Sequence, residues 1–91
     1  MLENHIMEAF DIAVQQSIIK LGKIISRKRK EMHWTYKDLA NYTGLSVSSL
    51  TALEKGRMKS APLISLIFRL IRVLDISPND FTSCFYWKED K

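Results

Sequence analysis

The chain has 91 residues, 46% of them hydrophobic, which suits one small domain with a modest core. Three glycines, two prolines and no sustained alternation of apolar with polar residues exclude a β-rich fold and favour an all-α one. The formal charge is +4, and a single cysteine, Cys84, excludes an intrachain disulfide.

Leu2, Ile6, Phe10, Val14 and Ile18 lie four apart with acids between them, which predicts an amphipathic helix over residues 1–19. The pattern runs on through Leu21, Ile24 and Ile25, weakened only by Gly22. A second helical stretch is expected over residues 20–32, ending in a basic run from Arg27 to Lys30. Thr35 reads as an N-cap, and Asp38 three residues later completes a capping box with Asp in place of Glu. That helix carries Leu39, Ala40 and Tyr42, and Gly44 ends it as a residue able to take positive φ. Ser46 caps the next helix, which is expected to reach about Lys55 with Leu50 and Leu53 at core spacing. Gly56 closes it. After a short loop, Pro62 is placed in the first turn of a strongly apolar helix over residues 63–74, interrupted only by Arg69 and Arg72 and expected at the centre of the core. Ser77, Pro78, Asn79 and Asp80 start a last short helix. The tail, residues 84–91, is aromatic and then charged.

Charge is unevenly spread. Residues 1–19 hold Glu3, Glu8 and Asp11 and no Lys or Arg, whereas residues 20–59 hold ten Lys or Arg against Glu31, Asp38 and Glu54. The basic excess falls on residues 20–59, the segment that includes the two short central helices. It points to a polyanion partner, with a solvated helical face as the plain alternative. The acidic N-terminus and the lack of a long apolar run leave no expectation of a signal peptide or membrane span, and the lone cysteine fits a reducing cytoplasm. An acidic polar face also argues against membrane binding.

Two short helices joined by a tight, glycine-containing turn make a helix-turn-helix. In that motif the second helix enters the DNA major groove. The ordered set is a basic first helix, Thr-x-x-x-Leu-Ala from Thr35, Gly-Leu-Ser from Gly44, Leu-x-x-Leu-Glu-Lys-Gly from Leu50 and Leu-Asp-Ile-Ser-Pro from Leu74. Over roughly residues 21–81 it resembles the lambda-repressor/Cro-like helix-turn-helix family. The resemblance implies a five-helix DNA-binding domain over residues 20–83, with the N-terminal amphipathic helix added to it. It also implies that Arg29 pairs with Glu54. Tyr36 stands where the family usually has Gln, His33 replaces a frequent glycine, so that the turn before the second helix is expected to differ, and the loop after Gly56 looks longer than usual.

Candidate DNA-binding residues are Thr35, Tyr36 and Lys37 at the start of the first motif helix, Ser46, Val47, Ser48, Ser49, Thr51 and Ala52 on the second, and Lys55, Arg57 and Lys59 after it. Lys28 and Lys30 are helpers at most. The second helix has no Arg, Asn or Gln to read guanine or adenine. Val47, Thr51 and Ala52 suit thymine methyls, and phosphate contacts and DNA shape are expected to carry much of the affinity. A protein-binding scaffold is the alternative use of so bland a face.

Ile6, Phe10 and Val14, with Phe85 and Trp87 of the tail, are candidate dimerisation residues. His5 and His33 are too far apart to suggest a local catalytic pair, no nucleophile–base spacing is present, and one Cys with two scattered His cannot make a zinc site. No enzyme activity, metal or cofactor is expected. The expected function is a cytoplasmic homodimer that regulates transcription by reading a roughly palindromic operator in double-stranded DNA, most simply as a repressor. The alternative rests on similarity to HipB-type antitoxins, through the Trp34-Thr35 entry to the second helix. It is a protein that restrains a toxin and autoregulates its operon.

Overall fold

The computed structural model describes residues 2–58 and 62–84, with side chains described from residue 12 onward. Lys59, Phe85 and Trp87 lie outside the described residues, as do the side chains of Ile6 and Phe10. Among the described residues five helices follow one another: α1 Leu2–Glu31, α2 Tyr36–Thr43, α3 Val47–Glu54, α4 Ile64–Leu74 and α5 Pro78–Ser83.

The N-terminal amphipathic stretch and the first domain helix are one continuous element of 30 residues. At 1.5 Å per residue this is about 45 Å of helix, which matches the 46 Å long axis of the molecule. Gly22 does not break it. Its lack of a side chain serves packing instead, because a Cβ there would overlap the carbonyl oxygen of Leu53, with the Leu53 carbonyl carbon 3.0 Å and Glu54 Cα 3.4 Å away. The end of α3 therefore rests on the α1 backbone.

Ile18, Leu21 and Ile25 line one stripe of α1 and meet Leu39 of α2, Leu50 and Leu53 of α3, Leu70 and Leu74 of α4, then Ile76 and Cys84. Val14 is partly buried and packs against this core within its own chain. The buried hydroxyls are satisfied: Ser17 Oγ donates to the Ala13 carbonyl at 3.0 Å, and Thr43 Oγ1 to the Leu39 carbonyl at 2.7 Å.

α4 departs from expectation in two ways. It starts at Ile64, with Leu63 as its extended N-cap residue and Pro62 just ahead, because the Leu63 carbonyl already accepts from the Leu66 and Ile67 amides. It is also only half covered. Leu70 and Leu74 are buried, but Leu63, Ile64 and Phe68 are 70%, 67% and 59% exposed. Ser65, Arg69 and Arg72 form one polar stripe on α4, and its apolar face is wider than the side that α1 and α2 cover.

Candidate nucleic-acid interface

The motif is held by its caps. Thr35 Oγ1 accepts from the Asp38 amide at 3.1 Å, and the Asp38 carboxylate accepts from the Thr35 amide at 2.8 Å, so the expected capping box is present. Gly44 takes φ 78° and its amide donates to the Ala40 carbonyl at 2.8 Å. Leu45 and Ser46 complete the turn, and Ser46 Oγ accepts from the Ser49 amide at 3.1 Å. Arg69, on α4, donates to the Thr43 carbonyl at 3.2 Å and so fixes the end of α2 from outside the motif. That contact had one sequence signal, a cation inside an otherwise apolar helix.

The end of α3 is closed by the Gly56 amide on the Leu53 carbonyl (3.2 Å) and the Arg57 amide on the Ala52 carbonyl (2.8 Å). With Gly56 at φ 69°, this is a Schellman arrangement. α1 ends in the same way, with the Trp34 amide on the Arg29 carbonyl at 3.1 Å and His33 at φ 60°. The turn before α2 thus takes the left-handed form a glycine would take, and the histidine bears the strain.

One ion pair ties α1 to α3. Arg29 Nε and Nη2 donate to the two Glu54 oxygens at 2.7 and 2.9 Å, and Nη1 donates to the Trp34 carbonyl at 2.7 Å. The side chains are 10% and 2% exposed. The hydrogen bond to Glu54 raises the Arg29 pKa, against the opposing effect of burial. The guanidinium also lies 4.2 Å from the Tyr36 ring centroid. Tyr36 therefore enters the site with its ring packed under Arg29 rather than as a free polar arm. Trp34 stacks on Tyr42 with ring centroids 4.5 Å apart. The Trp34-Thr35 pair is thus explained locally, by a ring stack, a carbonyl acceptor and a helix cap.

Around this frame the candidate residues gather on the exposed side of the motif. Thr35 and Lys37 are exposed at the start of α2; Ser46, Val47, Ser48 and Ser49 are exposed at the start of α3; Thr51 and Ala52 are half-buried further along it, and Lys55 and Arg57 are exposed at its end. Lys28 is directed elsewhere: its Nζ lies 4.0 Å from Asp80 on α5, which also pairs with Arg27 at 3.5 Å. Among the described residues no helix is long and apolar enough to cross a membrane, and no group of His, Cys, Asp or Glu could hold a metal ion.

A family model described as helix-turn-helix matches residues 25–81, well over half of the chain. The chain belongs to the helix-turn-helix family. Its type is the lambda-repressor/Cro-like one, and the all-helical fold with the motif at α2–α3 agrees with it. No curated protein and no solved structure matches the chain. By this family the chain is a DNA-binding transcription regulator.

Proposed function

We propose that the protein is a sequence-specific regulator that binds double-stranded DNA as a homodimer and represses by occupying promoters in the cytoplasm. The observation that carries this reading is the exposed N-terminal half of α3, capped by Ser46, on a helix whose C-terminal end rests on Gly22. Lys37, Lys55 and Arg57 stand at its borders as phosphate partners. Two copies would present two such helices to the half-sites of a palindrome. Apolar surface for pairing is available on α1 at Ile12, 58% exposed, and on α4 at Leu63, Ile64 and Phe68.

The double variant Ser48→Glu, Ser49→Glu tests this reading. Glu at position 49 stands three residues after the Ser46 cap, where it completes a capping box, so the fold is kept. Two carboxylates in the groove are repelled by phosphate, so duplex binding is lost. Retained binding by the folded variant would place the DNA on another face.

A further inference from the structure

α3 carries four hydroxyls at or near its outward face, and the structure commits most of their bonding to the helix itself. Ser46 Oγ accepts from the Ser49 amide at 3.1 Å and donates to Ser49 Oγ at 2.8 Å. Thr51 Oγ1 donates to the Val47 carbonyl at 2.7 Å. Ser46 and Thr51 have thereby spent their protons, and Ser49 has spent acceptor capacity. No Arg, Lys, Asn, Gln or Asp lies between Ser46 and Leu53. What the helix still offers at fixed positions is methyl groups. Val47, 43% exposed, and Thr51 are four residues apart on one ridge and joined by the Thr51 hydrogen bond. On the major-groove edges of the base pairs, the apolar partner for such a ridge is a C5-methyl group, which thymine carries and unmodified cytosine lacks.

We propose that α3 reads methyl groups: Val47 and Thr51 form an apolar ridge that selects C5-methylated pyrimidines in the major groove. The proposal rests on the DNA-binding reading above. It goes further in predicting that the methyl itself is the recognised group, so that 5-methylcytosine substitutes for thymine where plain cytosine does not. Ser48 and Ser49, with rotatable hydroxyls, contribute little discrimination beside it.

The test uses the full chain and a random-sequence duplex pool. Duplexes enriched from the thymidine pool are remade with deoxyuridine, and the positions where this weakens binding are then rebuilt as C·G or 5-methylcytosine·G pairs. The expected loss is about four-fold in affinity for each methyl removed. At those positions 5-methylcytosine should bind more tightly than cytosine by the same factor of about four. The folded Val47→Ala variant should show a smaller thymidine-to-deoxyuridine ratio. Equal binding of the deoxyuridine duplexes, or no preference for 5-methylcytosine over cytosine, overturns methyl reading and leaves DNA binding intact. Failure of any sequence to enrich overturns both. Of the two natural sources of the methyl, a preference confined to the thymine pairs that also rejects 5-methylcytosine would show that the thymine edge, not its methyl, is read.

Discussion

Gly22 of α1 lies directly against the Leu53 carbonyl of α3, with no room between them for a methyl group. The contact fixes how far α3 sinks toward α1. It therefore sets how far the opposite face of α3 stands out for the groove.

Replacing Gly22 with Ala tests the contact. In an unpacked helix this change would stabilise by about 1 kcal/mol, since Gly is the poorer helix former. Here the new Cβ meets backbone, which cannot swing aside as a side chain can. The expected outcome is the opposite sign, a destabilisation of about 1–3 kcal/mol by overpacking, measured by urea unfolding. Lys23→Ala, one position along on the exposed side, serves as control and should stay within about 0.5 kcal/mol of the parent.

The Arg29–Glu54 pair is the second tie between α1 and α3. Both side chains are shielded, and Arg29 also satisfies the Trp34 carbonyl and covers Tyr36. Glu54→Gln leaves the guanidinium buried without its counter-charge. A loss of about 3–5 kcal/mol is expected. Arg29→Lys should recover little of the native stability, because an ammonium cannot make the paired bonds or stack on the ring in the same way. Thermal melts of the two variants would show both effects.

His33 holds φ 60°, outside the region that side-chain-bearing residues favour. Glycine removes that strain at the cost of a looser unfolded chain. His33→Gly should raise stability by up to about 1 kcal/mol, whereas His33→Val should lower it by more than 1 kcal/mol. Differential scanning calorimetry of the pair checks both signs.

Cys84 is buried, and burial pushes its thiol pKa up. Two outcomes follow. Labelling by a thiol reagent should be slow in the native protein and become fast on adding denaturant. Stability should also fall as pH rises. A raised folded-state pKa means the folded chain keeps a proton that the unfolded chain releases. The contribution is therefore fully present below the ordinary thiol range of about 8.5 and is lost as pH climbs through the higher folded value. Cys84→Ala should flatten the alkaline limb of the stability curve.

How much of this was legible in the sequence varies with how local the cause is. The capping box at Thr35 and Asp38, the Gly44 and Gly56 caps and the Ser46 cap depend on neighbours within a few residues, and their residue types announce them. Gly22 was legible only as a weak point in a helix, because its purpose lies in the Leu53 backbone, 31 positions away along the chain. The same holds for Arg69, whose acceptor is the Thr43 carbonyl. On α4 the composition said that much of the helix was apolar but not which side stayed uncovered; that follows from where α1 and α2 lie. At the interface, the sequence offered the hydroxyls of Ser48 and Ser49 as equals. The bond that Ser49 Oγ accepts from Ser46 Oγ sets the two apart.

The central claim is sequence-specific reading of double-stranded DNA, and one titration addresses it most directly. Binding to the duplex upstream of the protein's own gene is compared with binding to random duplex across a salt series. The account predicts a preference of at least ~10³-fold for the upstream site, surviving at physiological salt. Equal binding to both duplexes, falling steeply together as salt rises, would contradict it, since the basic surface would then see phosphates alone.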